Sequence, residues 1–260
     1  CRCTGYKKII DAIGMAAEFF REDKAVPAAD TEIRVGDRSQ RIDVMEKVLG
    51  TGRFPDDYRF DDMVYGRALR TPYPRARVNR IDISKALEHP DCITVLTAAD
   101  VPNNTIGHIV RDWDVMIPEG GVTRYIGDSV ALVATGKRES LQEVLDLIEV
   151  DYTELEPILD PFEAMKEDAP KIHEKGNILS SERLIRGDAH KAVAEAAHVV
   201  TETYRVSWQE HAFLEPECAI GWPSEDGGVH LITASQSIYD EQREVSEMLM
   251  IEPERVHIQS

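Results

Sequence analysis

Two cysteines stand one residue apart in CRCTGYKKII, Cys1 and Cys3. Soft thiolates at that spacing in a loop can face one metal. A helix starting at Thr4 would lower their pKa through its positive end, favouring the deprotonated ligand form. Zinc and iron-sulfur clusters want four ligands, however, and no CxxC occurs in the 260 residues. The pair therefore reads equally as half of a metal site and as two idle thiols. Further on, QEHAFLEPECAI brings His211, Glu215 and Glu217 close together. A lone histidine beside strand ends is more often hydrogen-bonded structure than a ligand or base. Glu215 and Glu217 would share one strand face, but nothing in the sequence raises either pKa for acid-base work, and solvated or salt-bridged glutamates are the better reading. Ser235 and Gln236 fall between a strand and a helix, where ligands gather; capping of that helix by Ser237 is the equal alternative. Cys92 and Cys218 sit beside strand-like runs and read as core packing, and DDYRFDD reads as a solvated acidic loop.

The elements that must carry these residues follow from periodicity. TGYKKIIDAIGMAAEFF puts Ile9, Ile10, Ile13, Ala16, Ala17 and Phe20 on one helix face, with Thr4 as the expected N-cap. From Arg21 to about Val48 the chain is polar and carries no sustained apolar period, which is linker composition. MVYGRALRT, ARVNRIDI, CITVLTAADV and DSVALVAT then read as strands. KRESLQEVLDLIEV reads as a helix with Leu141, Val144, Leu145 and Ile148 on one side, and VDYTELEPI resumes extended structure. A charged, proline-bearing connector leads to DAHKAVAEAA, a short helix with Asp188 near its start. HVVTETYRVSW alternates like a strand, ECAIGW and GVHLITAS are strands joined by a turn at PSEDGG, SIYDEQREVSEML is a helix, and VHIQS begins another strand. The expected class is α+β.

Lys+Arg total 30 against Asp+Glu 48, a net charge of -18, which argues against nucleic acid and anionic lipid as partners. No apolar run is long enough to span a bilayer and no signal-peptide pattern is present, so no membrane association is expected. Four scattered cysteines do not make a disulfide scaffold, and a reducing, cytoplasmic setting is the default.

Several stretches together are similar to one family. CRCTGYKKII resembles the end of the second 2Fe-2S domain of the molybdenum hydroxylases, the xanthine dehydrogenase and aldehyde oxidase family. GTGRFPDDYRFDDMVYGRALRTPYPRARVNRIDISKALEHPDCITVLTAADVP, RYIGDSVALVAT, VDYTELEPILDP and QEHAFLEPECAI resemble its large subunit in the same order. The resemblance implies an internal piece of such an enzyme: residues 1–20 as the helical end of a 2Fe-2S domain, 21–49 as a linker, 50–161 as a mixed α/β hammerhead domain, 162–179 as a connector, and 180–260 as the front of an α+β molybdopterin-binding domain. It implies hydroxylation of a purine, an aldehyde or an N-heterocycle, with water as the oxygen source and electrons leaving through 2Fe-2S clusters.

Carried over by residue, Cys1 and Cys3 would ligate the cluster nearest the molybdenum. Gln209 matches the family glutamine whose amide hydrogen-bonds an oxygen of the molybdenum, and Ser235 and Gln236 would line the cofactor cleft. Trp208 stands where members often carry a glycine. The glycine-rich GGGFGGKE stretch of the family, its catalytic glutamate and an inserted flavin segment are not among these residues, which implies a fused iron-sulfur and molybdenum layout with flavin or iron-sulfur on partner subunits, in an oligomer acting on a small molecule. The competing expectations are a non-catalytic adaptor that keeps the fold as an assembly surface, and a zinc site at Cys1 and Cys3 completed by another chain.

Overall fold

SVALVAT is the stretch around which the larger part of the chain is built. Its side chains alternate across a strand, and both faces are covered: Ala131 and Val133 pack on one side and Val130 on the other, each 0% exposed. The computed structural model describes residues 5–25, 34–36, 41–213, 215 and 217–260. The chain divides into two units, Cys1–Arg53 and Phe54–Ser260.

In the first unit, helix α1 (Tyr6–Arg21) forms where the apolar period places it, with Gly5 at its N-cap position; the expected cap, Thr4, lies outside the described residues. Ile9, Ile10, Ile13 and Phe20 are all exposed. Within the expected linker a second helix, α2 (Val44–Leu49), forms and is closed by Gly50 in the left-handed region at φ 72°. Six residues are too few to show a period, which is why the sequence reading passes over it.

In the second unit the first sheet has the order β1 (Tyr65–Arg70), β6 (Ser129–Thr135), β3 (Cys92–Leu96), antiparallel throughout. Helix α4 (Leu141–Asp146) lies on it. Leu141, Val144, Leu145 and Ile148 point inward at the spacing of one helix face, into a cluster with Ala86, Val95, Ala131 and Val133. Behind β6, Val130 meets Val78 and Ile117, beneath the antiparallel ribbon of β2 (Ala76–Asp82) and β7 (Glu149–Glu154). The short helices α3 (Ser84–Leu87) and α5 (Pro161–Ala164), and the two-residue strands β4 (Thr105–Ile106) and β5 (Trp113–Asp114), complete this part.

Beyond it, α6 (Ala189–Glu195) begins at Asp188, whose carboxylate accepts from the Lys191 N–H at 2.9 Å. The next stretch is a correction. HVVTETYRVSW has the alternation of a strand, yet residues 198–213 carry no regular structure, and Val200, Tyr204, Val206 and Trp208 are exposed. An alternating sequence becomes a strand only where a neighbour accepts its hydrogen bonds, and among the described residues no strand pairs with this one. The last sheet is ordered β10 (Val256–Gln259), β9 (Val229–Thr233), β8 (Ala219–Pro223): β8 and β9 form an antiparallel hairpin, and β9 and β10 run parallel. A parallel pair needs a crossover of about a dozen residues. Helix α7 (Ile238–Leu249) supplies it, and Gln242 ties it to β10 by donating to the Val256 carbonyl at 3.0 Å. The orphan carbonyls at its C-terminal end are met from the loop before β4, where Asn103 donates to Met248 O at 3.0 Å and Glu247 O at 3.1 Å.

Candidate functional site

In a strand-helix-strand crossover the C-terminal ends of the two parallel strands open onto the start of the helix, and ligands collect there. β9 ends at Thr233, and the chain passes Ser235 and Gln236 before Ser237 caps α7; β10 ends beside it, where the Ser260 hydroxyl donates to Ser235 O at 3.2 Å. The capping expected of Ser237 is observed, and the two residues before it border a cleft. Ser237 accepts from the Asp240 N–H at 3.4 Å as the cap, while Ser235 and Gln236 line a cleft of about 740 Å³. Ser235 Oγ accepts from the Ser237 N–H at 3.0 Å, so it is committed to shaping the turn. The Gln236 side chain is exposed and makes no hydrogen bond with a described residue, so its amide is free for a ligand.

The other walls are residues to which the sequence reading assigns no role. Asp240, Glu241 and Glu244 project from the first two turns of α7, and His108 faces them from the loop after β4. His108 Nδ1 lies 3.7 Å from Asp240 and 3.6 Å from Glu244, and Arg243 bonds Asp240 at 3.0 Å. Asp240 is held below the usual carboxylate range, first by its bond with Ser237 and then by the charges of His108 and Arg243, so it is ionised at neutral pH. Glu241 accepts from the buried Thr233 hydroxyl at 2.7 Å. The spacing of Asp240, Glu241 and Glu244 on one helix face was available in the sequence; their meeting with His108, more than a hundred positions away, was not.

The remaining sequence candidates are placed as follows. Glu217 and Cys218 line the cleft. Burial pushes the Cys218 thiol up, and Cys92, half-buried against the core, is shifted the same way, which fits packing and not thiolate chemistry. Gln209 lies on the exposed irregular stretch and is not in the cleft wall, so it is not brought together with Ser235 and Gln236. His211 is exposed and stacks on Phe213 at 5.3 Å. Cys1 and Cys3 lie outside the described residues. Among the described residues no group of three or more His, Cys, Asp or Glu side chains is placed to hold a metal ion, and no helix is long and apolar enough to cross a membrane.

What this cleft offers a bound group is hydrogen bonding. The Gln236 amide and the carboxylates of Asp240 and Glu244 suit a neutral heterocycle that presents N–H donors and carbonyl acceptors, as a pterin does. They do not suit a phosphate, because the wall has four carboxylates and only His108 as a basic side chain. If a molybdenum-pterin group is bound here, Gln236, Asp240 and Glu244 are the residues that would hold its heterocycle.

Comparison with known proteins identifies two stretches of the chain. Residues 49–156 match the family described as aldehyde oxidase and xanthine dehydrogenase, a/b hammerhead domain, and residues 172–260 match the molybdopterin cofactor-binding domain. The chain belongs to the molybdenum hydroxylase family. Among its relatives, the nicotinate dehydrogenase large molybdopterin subunit of Eubacterium barkeri is 33% identical over 225 residues, covering 86% of this chain and 52% of the relative. A probable xanthine dehydrogenase component from Bacillus subtilis is 32% identical over 221 residues, covering 85% of this chain and 29% of the relative. The chain thus spans about half or less of the length of these two relatives. The aldehyde oxidoreductase from Desulfovibrio gigas superposes with a TM-score of 0.84 at 24% identity, over 99% of this chain and 30% of that one, a likeness of fold.

Proposed function

We propose that this chain forms part of a molybdenum-dependent hydroxylase that oxidises a purine, an aldehyde or an N-heterocycle with water as the oxygen source. The observation that carries the reading is the free Gln236 amide in a cleft at the ends of β9 and β10, within the stretch similar to molybdopterin-binding domains. When bound, the molybdenum-pterin group supplies the two-electron oxidation; the chain binds and orients. Gln236 and the backbone turn at Ser235 would hold the pterin, and Asp240, ionised, would accept hydrogen bonds from it. Gln209 would donate its amide to the molybdenum centre if residues 198–213 find a strand partner in the assembled enzyme. Cys1 and Cys3 would supply two of the four ligands to a 2Fe-2S cluster, whose chemistry is electron transfer. Flavin or iron-sulfur partner subunits, an oligomeric state and a cytoplasmic setting complete the reading. So does the division into a 2Fe-2S end at 1–20, a linker at 21–49, a hammerhead domain at 50–161, a connector at 162–179 and a molybdopterin-binding part from 180.

Relatives named for nicotinate, xanthine and aldehyde chemistry support this substrate range. The test is substitution of Gln209→Ala and Gln236→Ala in the intact protein, with turnover and molybdenum content measured together. Loss of one hydrogen bond to the metal group costs roughly 10 to 100-fold, so turnover falls by about that factor in Gln209→Ala with metal content retained, and pterin occupancy falls in Gln236→Ala. Unchanged turnover and occupancy in both would remove the two glutamines from the site, and an intact protein with neither molybdenum nor turnover would leave the adaptor reading in its place.

A further inference from the structure

A second cavity, of about 670 Å³, lies between the loop after β4 and the loop at 172–179, and nothing in the hydroxylase reading uses it. Its size falls in the range of roughly 300 to 1,000 Å³ typical of small-molecule sites. Both walls are tied down. At Gly107 a side chain's first carbon would sit 1.9 Å from the Val110 carbonyl oxygen, so the first loop closes tightly on itself and only glycine permits it. Asn177 pins the second loop, accepting from the Ile172 N–H at 2.7 Å and donating to Ala164 O and Pro170 O at 3.0 Å each. The cavity is thus formed before anything enters it.

Its lining is largely apolar and includes an aromatic wall. Trp113 and His173 line it with their rings 6.3 Å apart, beside Ile109, Val110 and Ile178, and outside the lining Tyr125 packs on Trp113 at 5.5 Å between ring centres. Ile109 is 77% exposed and Ile178 57%, so apolar surface faces water inside a concavity, which a ligand would cover at about 25 cal/mol per Å². One polar atom is left over. His173 Nδ1 is buried and makes no hydrogen bond, although Asp112 Oδ2 is 3.2 Å away, off the line a bond requires. The charged groups at the walls are Asp112, Glu244 and Lys175, of mixed sign, and they select no net charge.

We propose that this cavity binds a neutral, planar aromatic small molecule that stacks on Trp113 and bonds His173 through a single polar group. The proposal does not depend on the molybdenum reading, since the cavity adjoins the cofactor cleft only through His108 and Glu244, which wall both.

The test is calorimetric titration of the intact protein with coumarin, which is planar and neutral and carries a carbonyl acceptor, beside naphthalene, which lacks one. Saturable one-to-one binding of coumarin is expected, weakened at least tenfold by Trp113→Ala and by His173→Phe, with naphthalene weakened by the first only. Ile178→Trp, at a position open enough to keep the fold, should fill the space and abolish binding of both. No saturable binding of coumarin, as when another stretch of the protein occupies the cavity, overturns the proposal. So does binding that Ile178→Trp leaves unchanged.

Discussion

Removing the carboxyl of Asp128 should destabilise the second unit in a way that depends on what replaces it. Asp128 is only 2% exposed; its Oδ2 accepts from the backbone N–H of Arg124 at 2.6 Å and of Tyr125 at 3.4 Å, and its own carbonyl accepts from Thr71 at 2.8 Å. It thereby holds the turn 124–128 that sets Tyr125 against Trp113. In Asp128→Ala two partly buried backbone donors lose their acceptor. An orphaned buried donor costs about 1–3 kcal/mol, and since the Tyr125 bond is long, the total expected is about 2 kcal/mol. Asp128→Asn keeps an acceptor oxygen and removes a charge, so it should stay within about 1 kcal/mol of the parent.

The sign with pH follows from burial, which raises the Asp128 pKa above 3.8 against the opposing pull of the Arg124 and Tyr125 N–H groups. A carboxyl with a raised folded-state pKa holds its proton more tightly folded than unfolded. Its stabilising contribution is full below the unfolded value and is lost as pH rises through the folded one. The asparagine variant lacks this loss and should gain on the parent as pH climbs out of the carboxylate range. Urea unfolding of the full chain across pH 4 to 8, followed by circular dichroism, measures the three differences. An Asp128→Asn variant as unstable as Asp128→Ala, or a parent-minus-asparagine difference that is flat with pH, would refute the reasoning.

Two further outcomes are expected. Val144, 0% exposed in the cluster between α4 and the first sheet, should cost about 2 kcal/mol when replaced by alanine, from about 0.8 kcal/mol per lost carbon plus the cavity left behind, read from the urea midpoint. Asp226, in the β8–β9 turn, is lowered to about 2 by the Ser224 hydroxyl, the Gly228 N–H and His257. Carbon NMR titration of its carboxyl should therefore show a midpoint near that value, rising in Ser224→Ala. Its stabilising effect is present above the ordinary value of 3.8 and lost as pH falls toward about 2.

The elements with complete periods were legible in the sequence. Leu141, Val144 and Leu145 fall on one face of α4 with Ile148 just past its end, and the run of β6 carries the near-continuous apolar character of a strand with core on both sides. What escaped had too few residues for a period, as in α2, β4 and β5, or had the period without the partner, as in 198–213. At the site, Ser235 and Gln236 were legible because a strand followed by a helix is itself the signal for a ligand-binding loop. His108 facing Asp240 and Glu244, and Trp113 facing His173, arise from long-range packing that leaves no local pattern.

The central claim is that the turn at Ser235 and Gln236 is a wall of the molybdenum-pterin site. Anomalous X-ray diffraction at the molybdenum edge, on crystals of the intact protein, locates the metal directly. The account predicts one peak in the cleft at the ends of β9 and β10, on the Gln236 side; a peak elsewhere with that cleft filled by solvent, or no molybdenum in the purified protein, would contradict it.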